Sequence, residues 1–169
     1  RAVESVDKKQ TVIETYACEP KEFKDEKLVS KINNAFIGME VIKEQLLDLY
    51  AERLAIKAEA FPTKLQVIAI KGNPGTGKTT VASLISEIAC ATGACELQPM
   101  QILRPVQFIN GGLETKLNQL QGHTIFIDEA HTFLDNKESL AYNVNHLMKF
   151  VDKKNHDKRT VLILAGYAE

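Results

Sequence analysis

The run Gly72-Asn73-Pro74-Gly75-Thr76-Gly77-Lys78-Thr79-Thr80 meets every fixed position of the pattern G-x-x-x-x-G-K-[ST], and phosphate chemistry needs each of those residue types. Glycines at 72, 75 and 77 let the backbone turn its amide N–H groups onto phosphate oxygens. Lys78 brings a point charge for the terminal phosphates, and the Thr79 hydroxyl is placed to ligate Mg2+. The pattern predicts binding of a nucleoside triphosphate through Asn73, Pro74, Gly75, Thr76, Gly77, Lys78, Thr79 and Thr80.

A second stretch, Thr124-Ile125-Phe126-Ile127-Asp128-Glu129, is an apolar strand that ends in two carboxylates about 50 residues after Lys78. That interval holds a crossover helix, another strand and its return. Parallel strands gather their ends on one sheet edge, so Asp128 can enter a Mg2+ shell while Glu129 polarises a water for attack on the γ-phosphate. Glu129 and Lys78 are the expected catalytic groups, and Thr79 and Asp128 the expected metal ligands.

These groups need a rigid frame. Leu65 to Ile70 reads as a buried strand before the glycine loop, and Thr79 to Ala91 as a helix with Val81, Leu84, Ile85 and Ile88 on its apolar face. A helix precedes them, with Val41, Ile42, Leu46, Leu49 and Tyr50 among its apolar positions, and Phe61-Pro62-Thr63 ends it. Between Glu96 and Asn110, Gln101-Ile102-Leu103 and Val106-Gln107-Phe108-Ile109 are both candidates for the next strand. A short helix over Leu113–Leu120, a longer one over Asn136–Val151, a solvated basic loop from Lys153 to Arg159 and a last strand over Val161–Ala165 complete the order. Alternating strands and helices demand a mostly parallel sheet covered on both faces, an α/β fold.

At 169 residues and 44% hydrophobic composition the chain can bury one substantial core. Its 21 basic and 22 acidic residues leave no electrostatic footprint for nucleic acid. No apolar run approaches a membrane span and no secretory signal opens the sequence, which points to a cytoplasmic setting without membrane partners. Cys18, Cys90 and Cys95 read as free thiols, the latter two as packing residues. Residues 1–31 are rich in Lys, Glu and Asp, interrupted only by Thr11-Val12-Ile13, and read as a charged arm or linker that could contribute a helix; 32–169 form the core. Opening on Arg1 and stopping just after a strand, the sequence reads as part of a longer protein.

With Gly72 to Thr80 as a Walker A segment, Ile125 to Glu129 as Walker B, and Phe36-Ile37-Gly38 as a hydrophobic-glycine turn, the sequence from Ile32 onward resembles the AAA+ ATPases. The wording around Phe126-Ile127-Asp128-Glu129-Ala130 and Leu164-Ala165-Gly166-Tyr167 is similar to the branch of the red-type Rubisco activase CbbX and the sporulation protein SpoVK. The resemblance implies a P-loop NTPase αβα sandwich, the large subdomain with its lid absent. It implies ATP with Mg2+, adenine lying against Ile37 and Gly38, and a homo-oligomeric ring, usually a hexamer, that remodels a protein client. ATP over GTP follows from the family, since no Asn-Lys-x-Asp motif occurs. The family's client-gripping aromatic finds its nearest match in Phe108-Ile109 with Gly111, where Phe108 equally fits a buried strand position. The sensor position falls near Gly166-Tyr167, where Tyr167 offers either a hydroxyl or packing; Arg159 precedes the last strand and does not fit an arginine finger.

Two other classes compete. Asp128-Glu129-Ala130-His131 spells the DEAH sequence of a helicase group, a weak signal beside the near-neutral charge, with His131 read as a helix cap or a polar contact near the site. A switch that binds ATP to control assembly with little turnover fits the shortened gripping loop, whereas Glu129 favours hydrolysis.

Overall fold

The computed structural model describes residues 26–36, 38–56, 64–134 and 138–167 and the backbone of 12–14; Ile37 and Cys18 lie outside this set. Its elements are β1 (Val12–Glu14), α1 (Glu26–Ala35), α2 (Glu40–Ala55), β2 (Leu65–Lys71), α3 (Lys78–Thr92), β3 (Gln101–Leu103), α4 (Leu113–Gln119), β4 (Thr124–Ile127), α5 (Glu138–Asp152) and β5 (Thr160–Gly166). Two 3-10 turns, Pro105–Phe108 and Ala130–Leu134, follow β3 and β4.

The strands lie in the order β1-β2-β5-β4-β3. β2, β5, β4 and β3 are mutually parallel, with Lys71 beside Gly166 and Ile127 beside Leu164, while β1 adds antiparallel to β2. A parallel sheet has both faces to bury, and the side-chain alternation divides them. Phe126, Val161 and Ile163 point to one face with Ile68 and Ile70, beneath α1, α2 and α3 through Ile32, Ile42, Leu46, Tyr50 and Ile85. Ile125, Ile127 and Leu162 point to the other, covered by α4 and α5 through Leu113, Leu117, Leu147 and Phe150. This is the α/β sandwich that the alternating pattern predicts.

Several local readings change. α1 crosses the expected boundary at 31/32, because Leu28 and Ile32 share one apolar face and both enter the core. The apolar run near Val12 lends its backbone to the sheet edge, and the helix that the charged arm could contribute is the start of α1. Of the two candidates for the second strand, Gln101–Leu103 forms it. Pro105 fixes the turn that follows, and the Arg104 and Gln107 groups close it reciprocally: Gln107 N–H donates to the Arg104 carbonyl at 3.0 Å and Arg104 N–H to Gln107 Oε1 at 2.9 Å. Phe108 ends that turn buried, its carbonyl accepting from Asn143 Nδ2 of α5 at 2.5 Å. It belongs to the core; the exposed apolar groups of the segment are Val106 and Ile109.

The cysteine reading divides. Cys95 is buried, accepts a hydrogen bond from Thr124 Oγ1 at 3.6 Å, and burial raises its thiol pKa, whereas Cys90 is exposed on α3.

The loop from Lys153 to Arg159 is not wholly solvated. His156 tucks under α5 with its ring 4.9 Å from that of Phe150 and is only 4% exposed. Burial, with Lys153 beside it, lowers the imidazole pKa, and Asp157 and the Lys153 backbone oppose the shift. Below about pH 6.5 the unfolded chain takes a proton that the folded chain resists, so stability is complete above that pH and declines as pH falls through it. Thermal unfolding followed from pH 8 to 5 should show this decline, at most about 1.4 kcal/mol per pH unit, and His156→Gln should flatten it. An identical slope in the variant would assign the dependence to other groups.

Candidate functional site

Because the central strands are parallel, the ends of β2, β4 and β5 meet at one edge, and the chain leaves β2 for α3 on one face and β4 for α5 on the other, leaving a crevice. The glycine loop leaves β2 with Gly72 N–H donating to the Gly166 carbonyl at 3.1 Å, so its first residue is anchored to the end of β5. Gly75 and Gly77 hold φ of 74° and 84°, conformations that side-chain-bearing residues rarely adopt. Gly77 is doubly constrained, since a Cβ there would meet Phe36 Cε1 at 3.3 Å. Phe36, buried between α1 and α2, thus lies beneath the loop and supports it. Within the loop, Thr76 Oγ1 donates to the Asn73 carbonyl at 2.7 Å.

Lys78 opens α3. Its Nζ donates to the Gly72 and Asn73 carbonyls at 3.0 and 2.9 Å, curling over the loop where phosphate oxygens would compete for the same protons. Burial lowers the ammonium pKa, and the charges of Asp128 and Glu129 pull it back up. The carboxylates stand close enough to be felt by the lysine, and all three groups line the same cleft.

At the end of β4, Asp128 N–H donates to the Leu103 carbonyl at 2.9 Å, which locks this corner to β3. Asp128 Oδ1 accepts from Glu129 N–H at 3.0 Å. Glu129 sits at φ 57°, a left-handed conformation that costs a non-glycine residue roughly 1 kcal/mol. Thr132 holds it there: its N–H and its hydroxyl both donate to the Glu129 carbonyl at 2.9 Å. The strained turn presents the Glu129 side chain exposed at the cleft while Asp128 stays partly buried.

Pro74, Gly75, Gly77, Lys78, Thr79, Asp128, Glu129, His131, Gly166 and Tyr167 line one cleft of about 420 Å³, within the range of small-molecule sites. His131 and Tyr167 line it together, ring centroids 4.0 Å apart and planes tilted by 46°, with the Tyr167 ring centroid 5.6 Å from Lys78 Nζ. Asn73 and Thr76 shape the loop from within, and Thr80 is exposed on the first turn of α3 away from the lining. Gly38 has φ 71° and begins the approach to α2, also outside the lining. Arg159 lies at the opposite sheet edge, where its Nε donates to the Gly93 carbonyl at 2.7 Å.

Among the described residues no cluster of three or more His, Cys, Asp or Glu could hold a metal on its own. One carboxylate and one hydroxyl, Asp128 and Thr79, face the same cleft, a donor set that suits an ion keeping most of its shell as water and phosphate oxygen. Sequence reasoning missed Arg104, whose Nη2 lies 3.8 Å from Asp128 Oδ2, and Thr132 behind Glu129. Neither has a spacing signature; each acts through a turn that only folding closes.

Residues 68–168 match the family described as ATPase family associated with various cellular activities (AAA). Stage V sporulation protein K of Bacillus subtilis is 28% identical over 164 residues, 84% of this chain and 48% of its own length. Protein CbbX of Cereibacter sphaeroides is 26% identical over 164 residues, again 84% of this chain and 50% of its own. The Holliday junction branch migration complex subunit RuvB of Mycoplasma genitalium is 33% identical over 115 residues, 68% of this chain and 34% of that protein. The chain therefore spans about half the length of the first two relatives and a third of the last. The family match covers the glycine loop, both carboxylates and β5, and agrees with the sheet order found; the chain is an ATPase-family module of the AAA class.

Proposed function

We propose that the cleft binds ATP with Mg2+ and hydrolyses it, within a ring of like subunits that remodels a protein. The observation that carries the reading is the convergence of Lys78 and Thr79 with Asp128 and Glu129 on one cleft from segments about 50 residues apart. The backbone of Asn73 to Lys78 would wrap the phosphates, and Lys78 would exchange its two carbonyl partners for phosphate oxygens. Thr79 and Asp128 would hold Mg2+, whose charge would neutralise the β- and γ-phosphate oxygens. Glu129, exposed at the cleft, is the group to take a proton from the attacking water. Ile37 and Gly38 remain the proposed adenine contacts, with Thr80 beside the loop.

The ring and the protein client rest on likeness to the two relatives of CbbX and SpoVK type and on the habit of the family. The likeness to RuvB keeps one other reading in view, a motor on nucleic acid, against which the balance of 21 basic and 22 acidic residues weighs. Turnover measured across a protein concentration series tests the assembly. Specific activity should rise with concentration and level off as the ring fills, and added DNA should leave it unchanged. Activity independent of concentration would argue against a shared site, and salt-sensitive stimulation by DNA would move the assignment to the nucleic-acid motor.

A further inference from the structure

We propose that Arg104 is the resident counter-ion of Asp128 and competes with Mg2+ for it, which sets the metal concentration at which the site loads. This rests on the nucleotide reading of the cleft.

Asp128 has two carboxylate oxygens with different neighbours. Oδ1 accepts from Glu129 N–H at 3.0 Å, so Oδ2 is the oxygen left to face a cation. It is Oδ2 that the Arg104 guanidinium approaches, at 3.8 Å. The other cation beside Asp128, Lys78, spends its ammonium on the carbonyls of Gly72 and Asn73. Arg104 therefore balances the metal carboxylate directly.

A loose surface arginine beside a carboxylate often means nothing, and the Arg104 side chain is 60% exposed. Its origin, however, is fixed on both sides. Asp128 N–H donates to the carbonyl of Leu103, the residue before Arg104, at 2.9 Å, so the two corners are tied within one hydrogen bond. Arg104 itself is held extended by its exchange with Gln107 and by buried Pro105. The guanidinium can swing away while its root cannot move, the behaviour required of a cation that must yield to a metal ion and return when it leaves.

A guanidinium at this distance, largely in water, opposes a divalent ion modestly, and its removal should lower the half-saturating Mg2+ concentration about fivefold. The experiment is a Mg2+ titration of fluorescent ATP-analogue binding to the whole protein, for the unsubstituted chain, Arg104→Gln and Arg104→Lys, with a parallel series in chelator. Arg104→Gln should shift the Mg2+ midpoint down about fivefold and leave analogue affinity in chelator unchanged; Arg104→Lys should restore most of the midpoint. An unmoved midpoint with intact analogue binding would overturn the proposal and spare the site. Weaker analogue binding in chelator would overturn it too, because Arg104 would then be a phosphate contact. No binding by the unsubstituted protein would remove the nucleotide reading and this proposal together.

Discussion

Lys78→Ala should remove most of the nucleotide-dependent stabilisation while leaving the fold intact. In the nucleotide-free chain the ammonium is shared between the Gly72 and Asn73 carbonyls. Those are neutral acceptors, and trimming Lys78, which lines the cleft, opens room beside them for water to take the ammonium's place. Against phosphate the same protons make charge-assisted bonds, each worth about 1.5–3 kcal/mol, so losing two such bonds lowers affinity at least about 100-fold. The readout is the melting temperature with and without Mg2+ and ATP. At 100 times the dissociation constant, ligand adds about 2.7 kcal/mol, which for a domain of this size raises the midpoint by about 5–10 °C. The unsubstituted chain should show that rise and Lys78→Ala at most about 1–2 °C of it. An equal rise in both would place the nucleotide somewhere other than the glycine loop.

Glu129→Gln should separate binding from chemistry. The amide keeps the size of the carboxylate and the left-handed turn that Thr132 secures, but it cannot accept a proton. Turnover of the assembled protein at saturating ATP should fall by about 100- to 10,000-fold, with binding held or tightened. Binding without turnover in the unsubstituted protein, unaltered by the substitution, would instead describe an assembly switch. Thr132→Val offers a finer control, since it removes the hydroxyl that supports the Glu129 carbonyl without touching the carboxylate.

The glycine loop between strand and helix, the acidic strand end and the parallel sheet could be read from sequence because each rests on local pattern. Glycines at fixed intervals, an apolar run ending in Asp128 and a helical apolar face at Val81, Leu84, Ile85 and Ile88 all carry their meaning within a few residues. What could not be read depends on contacts far apart in the chain. Phe36 beneath Gly77 joins positions 41 residues apart, and nothing in either neighbourhood announces the other. Phe108 offered two readings, and the choice was made by Pro105, which ends the strand, and by Asn143 of α5, which captures the Phe108 carbonyl. His156 sits in a run of charges that reads as solvated, yet Phe150 on the preceding helix gives it an apolar face to fill. Arg104 escaped notice for the same reason. Its partner follows another strand, and only the parallel register of β3 and β4 brings them together.

The central claim is that one Mg2+–ATP binds per chain in the cleft between the glycine loop and the Asp128 corner. Calorimetric titration of ATP into the protein, with Mg2+ and again in chelator, tests it most directly. The account predicts a single site per chain, tighter with Mg2+ than without, whose metal-dependent part disappears in Asp128→Asn. Saturable binding with the same affinity in both buffers, or binding by Asp128→Asn that still responds fully to Mg2+, would contradict it.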